Sequence, residues 1–159
     1  MNWTVTALTE FVQRLMSKSN PMKPAFLAYN SSTDSNVTGD GTVYTVDFDT
    51  EVFDQHGDFA SDTFTAPIGG KYLLSTSVYY LGMTDATSLY IALTTSNRTY
   101  YHQLAIGNAA NNSMPLTVVA DMDAGDTAYV TITGTAGTKN IDVYGAAAAQ
   151  TFISGCLIT

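Results

Sequence analysis

Between Asp62 and Leu74 the chain reads Asp-Thr-Phe-Thr-Ala-Pro-Ile-Gly-Gly-Lys-Tyr-Leu-Leu. Phe64 and Thr65 favour extended backbone. Pro67 has no N–H to give to a ladder, so it ends that strand. Gly69 and Gly70 admit φ > 0, which lets the chain turn hard. Lys71 to Tyr80 then continues through aromatic, β-branched and aliphatic residues with no Gly or Pro. A strand, a corner and a second strand must bury an apolar side against further strands, and the rest of the chain supplies them.

Ala25 to Tyr29 reads as the first strand, and Asn30 to Gly41 as a Ser/Thr/Asn/Asp/Gly loop. Thr42 to Asp49 alternates: Val43, Thr45 and Asp47 face one way, Tyr44, Val46 and Phe48 the other. Glu51 to Phe59 turns at Gly57. After Asp85-Ala86-Thr87, Ser88 to Thr95 puts Leu89, Ile91 and Leu93 on one face. Ser96-Asn97-Arg98 reads as a hairpin turn, and Thr99 to Ile106 returns. Gly107 to Ser113 is a loop and Pro115 to Met122 a strand. Asp123-Ala124-Gly125-Asp126 is a turn with Gly at the demanding position, and Thr127 to Thr133 is the partner strand. Ile141 to Tyr144 is short. Gly145 and four Ala form a tight passage to a closing strand, Phe152 to Thr159. About ten short strands with no interior helix predict an all-β sandwich or barrel.

The chain before Pro24 differs. Residues 3–16 carry Val5, Leu8, Val12 and Leu15 at a spacing of three, four, three, the seam of two heptads. So short a helix is unstable alone in water and needs a partner. Either it docks on its own domain or it ends a trimeric stalk. Asn20-Pro21 and Lys23-Pro24 impose an extended linker. Residues 1–23 are therefore an N-terminal helix and linker, and 24–159 a single β domain.

Composition narrows the function. Fourteen acidic residues against six basic ones give a net charge of −8, which repels nucleic acid phosphates and anionic membranes. No run approaches the roughly 20 apolar residues of a membrane span. Residues 1–20 carry no apolar signal-peptide core. Cys156 is the only cysteine, so no intrachain disulfide forms. Its neighbours Phe152, Ile153, Leu157 and Ile158 suggest a buried thiol. If the Phe152 ring is buried too, its truncation should cost about 3–5 kcal/mol.

The corner Phe64-x-x-Pro67-x-x-Gly70-x-Tyr72 resembles the central signature of the complement C1q globular head family, relatives of the tumour-necrosis-factor jelly rolls. Four more blocks resemble that family in order: Pro24-Ala25-Phe26-Leu27-Ala28; Val46-Asp47-Phe48-Asp49 with Phe53-Asp54 and Gly57-Asp58-Phe59; Ala124-Gly125-Asp126 with Val130; and Phe152-x-x-Gly155-x-Leu157-Ile158. Asp54 stands where the family usually has Asn. The resemblance implies a ten-stranded jelly-roll sandwich that assembles as a tight homotrimer. The collagen stem of animal members has no counterpart here, since no Gly-X-Y repeat is present. Few lysines, one cysteine and a Thr/Asn/Gly/Ala-rich surface look more like the head of a bacteriophage tail fibre or tailspike. That points to the virion or to the extracellular space.

No Gly-x-Ser-x-Gly elbow or phosphate-binding Gly-Lys-Ser/Thr loop occurs, and His56 and His102 lack metal-ligand spacing. A non-enzymatic binding head is expected. Sugar sites pair an aromatic face with groups that bond hydroxyls, and one hairpin carries both: Asn97, Arg98, Tyr100, Tyr101 and His102. These, with the loop at 108–112, are the candidate contacts for a cell-surface carbohydrate. Asp121, Asp123 and Asp126 have two readings, a Ca²⁺ site of carboxylate and turn oxygens or a solvated, self-capped turn. A ligand-free trimerisation cap and a secreted C1q-like binding protein are the alternative functions.

Overall fold

The computed structural model describes residues 23–84, 87–104, 110–135 and 137–159. The helix expected at 3–16 and most of its linker lie outside them, as do Asp85, Ala86 and residues 105–109.

The described residues form thirteen strands and no helix. They are β1 (Ala25–Tyr29), β2 (Asp34–Thr38), β3 (Asp40–Thr45), β4 (Thr50–Asp54), β5 (Phe59–Ala60), β6 (Thr63–Thr65), β7 (Gly70–Leu81), β8 (Ser88–Thr95), β9 (Thr99–Gln103), β10 (Asn112–Met122), β11 (Thr127–Thr135), β12 (Ile141–Val143) and β13 (Phe152–Leu157). The predicted strands are present, shifted by a few residues at their ends. The main addition is β2, which lies inside the expected 30–41 loop. Its sequence, Asp-Ser-Asn-Val-Thr, is polar because only Val37 and Thr38 are buried. Its pairing with β12 holds it.

The long strand after the corner organises the first sheet. β10 runs antiparallel along one edge of β7, from Asn112 opposite Tyr80 to Met122 opposite Gly70. The other edge takes β13 and then β12. β1 and β4 continue outward from β13, and β2 from β12. The second sheet has the order β5-β6-β11-β8-β9. β3 lies against β11, where the Val46 N–H donates to Val130 O at 3.0 Å. The paired strands within each sheet are antiparallel, and the two sheets close face to face on one core. The sequence's all-β sandwich is the fold found.

Period two decides what enters that core. Leu89, Ile91 and Leu93 are fully buried from β8, as are Tyr72, Leu74, Val78 and Tyr80 from β7. The Phe26 ring stacks on Phe59 at 5.1 Å and on Phe64 at 4.6 Å, and Phe64 meets Tyr72 at 5.4 Å. These rings join β1, β5, β6 and β7 at one end of the sandwich. The Tyr72 hydroxyl donates to Ile68 O at 2.8 Å, which holds the corner in shape.

Two expectations change here. Gly69 and Gly70 do not take positive φ. Gly70 is required by close approach, because a Cβ there would sit 2.5 Å from Thr159 O and 2.6 Å from Leu157 Cδ1. Cys156 and Phe152 are not core residues. In β13 the inward positions go to Ile153 and Gly155, and a Cβ on Gly155 would meet Phe26 and Leu74. Phe152, Ser154 and Cys156 therefore face away from the core and stay half-buried.

Candidate functional site

The β8–β9 hairpin is locked by its own turn. The Thr95 N–H donates to Arg98 O at 2.7 Å, and the Arg98 N–H donates to Thr95 Oγ1 at 3.1 Å. This leaves the Asn97 amide at the tip, where it donates to Asp121 O at 3.1 Å and to Asp126 Oδ2 at 2.8 Å. Asp126 Oδ2 also accepts the Asp123 N–H at 2.9 Å, and Gly125 supplies the left-handed turn at φ 93°. One side-chain amide thus ties the hairpin of the second sheet to the β10–β11 turn at the end of the first. The sequence offered these as two separate candidate sites.

Beside the tie lies a groove of about 430 Å³, lined by Asn97, Arg98, Tyr100, Val119 and Asp121. Asp121 pairs with Lys71 at 2.5 Å. The Arg98 guanidinium has no ion-pair partner among the described residues. The groove therefore offers a free planar donor, a phenol, a carboxylate and an apolar patch. That set suits a polyhydroxylated ligand. Val119 is 57% exposed, and the residue types at the hairpin gave no hint of its part, since it reaches the groove from β10.

The strand period divides the remaining candidates. Tyr101 points to the opposite side from Tyr100, is 63% exposed, and packs edge-on against Tyr90 at 5.7 Å. His102 shares the side of Tyr100, but its Nδ1 donates to Pro115 O at 2.6 Å, joining β9 to β10. Of the loop expected at 108–112, residues 108 and 109 lie outside the described residues. Asp121, Asp123 and Asp126 do not converge as a Ca²⁺ set. Asp121 faces Lys71 and Asp126 caps the turn. Among the described residues no three His, Cys, Asp or Glu side chains are placed to hold a metal.

A second acidic group surrounds Tyr44. Its hydroxyl bonds Asp34, whose Oδ2 also accepts the Asn30 amide at 2.5 Å. Burial pushes the Asp34 carboxyl up despite those bonds. Burial and then the neighbouring Asp62 push Asp47 up as well. Tyr44 is held far above the usual phenol value by burial and by Asp34. Asp54 behaves in the opposite sense. Burial acts to raise it, but N–H groups of the 55–59 loop, Phe59 at 2.8 Å and Gly57 at 3.0 Å among them, lower it overall. Asp54 is thus the acceptor that shapes this loop. Asp49 and Asp54 thus act as caps, while Asp34 and Asp47 stand among like charges.

The face of the first sheet that turns away from the core is uncharged along its central rows. Cross-strand register builds it in rows: Val119, Leu73, Cys156 and Ala25; Thr117, Ser75, Ser154, Leu27 and Phe53; Pro115, Ser77, Phe152 and Tyr29. Leu73, Val119 and Phe53 are exposed large apolar residues. The charges that border these rows at the β7 start, Lys71 and Asp121, neutralise each other.

Two sheets in this order, with β7 and β13 at the centre of the uncharged face, define a jelly-roll sandwich. The chain belongs to the C1q domain family, whose model matches residues 25–158. Solved structures share the fold. The globular domain of zebrafish complement 1qA protein matches at 20% identity with a TM-score of 0.60, over 86% of this chain and 98% of that one. Murine APRIL at pH 5.0 matches at 14% identity with a TM-score of 0.61, over 86% and 99%. Murine APRIL at pH 8.5 matches at 16% and 0.58, over 85% and 98%. No curated protein matches by sequence.

Proposed function

We propose that this chain is the head of a homotrimer that binds a neutral cell-surface glycan. The observation that carries the proposal is the uncharged outward face of the β4-β1-β13-β7-β10 sheet, which runs at Val119 into the groove beside Asn97. The exposed apolar side chains on that face, Leu73, Phe53 and Val119, are costly in water. Two further copies of the same surface cover it with closed symmetry. Membership of the C1q family supports the same assembly. The groove then opens at the seam between subunits, with Arg98 and Tyr100 as the sugar contacts.

The wider setting is a tail fibre or tailspike of a phage, and hence the virion. It is supported by few lysines, one cysteine and a surface of Thr, Asn, Gly and Ala. The outward face by itself also favours a trimerisation cap with no ligand. Native mass measurement and a glycan array on the whole chain separate these readings. A binding head is a trimer with a neutral glycan signal that Arg98→Ala abolishes and Tyr101→Ala leaves intact. A cap is a trimer with no signal that depends on Arg98. A folded monomer overturns both.

A further inference from the structure

The other side of the sandwich carries a second surface of different make. In the second sheet, period two sends Tyr90 and Ala92 of β8, Tyr101 and Gln103 of β9, and Tyr129 and Thr131 of β11 away from the core. Register sets them in rows: Thr131, Ala92 and Tyr101 in one, Thr133, Tyr90 and Gln103 in the next. Tyr129 stands one row further along, opposite Thr94. Tyr90 and Tyr101 meet edge to face. Ala92 is buried although it points outward, so the flanking side chains close over it and form a continuous floor. From β9 to β11 the floor spans two strand spacings, about 10 Å.

Three observations select its occupant. First, the chain has fourteen acidic and six basic residues, yet every outward side chain named in these rows is uncharged. A charged ligand gains nothing here. Second, the rings stand among hydroxyls and an amide, so an apolar protein surface would leave polar groups unpaired. Third, Thr133 is 5% exposed and its Oγ1 has no hydrogen-bond partner among the described residues. It sits in the row of Tyr90 as an unsatisfied donor that a ligand hydroxyl can reach if the Tyr90 ring tilts. A molecule with apolar ring faces, many hydroxyls and no charge answers all three.

We propose that the Tyr90–Tyr101–Tyr129 face is a binding platform for a neutral polysaccharide chain, separate from the groove at Asn97. It lies on the opposite side of the sandwich from the sheet face assigned to the trimer, so it stays open in a trimer or in a monomer. The test is affinity electrophoresis of the whole chain through gels containing dextran, laminarin, mannan, xyloglucan or galactomannan, with polygalacturonate and heparin as anionic controls. At least one neutral polymer should retard the chain. Tyr101→Ala and Tyr129→Ala, both at partly exposed rings, should weaken that retention by about tenfold each, the loss expected when one stacked ring is removed. Retention that survives Arg98→Ala is the platform's, so the tyrosine variants are also read in that background, and failure here and failure of the groove reading are distinguishable. Circular dichroism of the variants confirms that they fold. The proposal is overturned if no neutral polymer retards the chain, if only the anionic ones do, or if the folded tyrosine variants are retained like the parent.

Discussion

Phe26 and Phe152 differ in one respect that a trimer turns into a measurable contrast. Phe26 is 1% exposed and stacks on two rings, so Phe26→Ala removes core packing from each subunit and should cost about 3–5 kcal/mol of folding stability. Phe152 is half-buried and faces outward, in a row with Tyr29, Ser77 and Pro115. In a lone subunit its truncation removes only partial burial, worth about 1 kcal/mol. Covering the rest of the ring with a neighbour adds about 1–1.5 kcal/mol per subunit, and three subunits lose it together. The trimer dissociation constant of Phe152→Ala should then rise by about two to three powers of ten, at 1.4 kcal/mol for each tenfold step.

Sedimentation velocity over a dilution series, run beside thermal unfolding, reads the two effects separately. Phe26→Ala should lower the unfolding temperature while the chains that remain folded still assemble. Phe152→Ala should dissociate at concentrations where the parent is a trimer and unfold like a well-formed subunit. If Phe152→Ala holds its trimer as tightly as the parent, or if it lowers folding as far as Phe26→Ala does, the outward face is not the contact surface.

Removing the Asn97 tie by Asn97→Ala should cost about 1 kcal/mol and speed amide exchange at the 96–98 turn and at Asp123, as hydrogen exchange can show. Gly145→Ala places a Cβ 2.0 Å from Asn30 Oδ1 and 2.3 Å from Ser32 O. Two backbone segments must separate, so calorimetry should show a loss of at least about 2 kcal/mol. The carboxylates predict a stability maximum on the acid side of neutrality. Asp34 and Asp47 are raised in the folded state, so their charged forms oppose folding at neutral pH. That opposition fades as pH falls through their raised values toward the ordinary carboxylate value of about 4. Asp54 is lowered, so its stabilisation is present above that ordinary value and disappears as pH falls through its folded one. Unfolding midpoints should therefore rise on mild acidification and then fall. Asp47→Asn should flatten the rise, and a monotonic loss from pH 7 downward would contradict the assignment.

The fold was legible because its signals are local. Period two in Thr42 to Asp49 and in Ser88 to Thr95 holds in the burial of Val46, Phe48, Leu89, Ile91 and Leu93. The hard stop at Pro67 and the left-handed turn at Gly125 stand where backbone chemistry requires them. β2 escaped because a strand with one buried end carries almost no hydrophobic pattern; its partner, β12, is more than a hundred residues away in sequence. Gly70 stands at the corner for a reason the local sequence does not show: the far end of the chain passes within touching distance.

The candidate site was legible only as a list of residue types. Sequence adjacency put Tyr100, Tyr101 and His102 into one group, and the β-pleat divides that group between the groove, the opposite face and a strand-to-strand link. Sequence distance kept Asn97 apart from Asp126, and sheet register brings them to 2.8 Å. The same register lays Tyr90, Tyr101 and Tyr129 on one uncharged face, though each lies in a stretch that by itself reads as ordinary amphipathic strand. In a two-sheet sandwich, neighbours along the chain are sent to opposite surfaces, and ligand-facing groups are assembled across strands. Candidate binding positions in this fold are therefore found from strand register first and residue type second, which is why Arg98 and Tyr101 serve as mutually independent probes although only Thr99 and Tyr100 separate them.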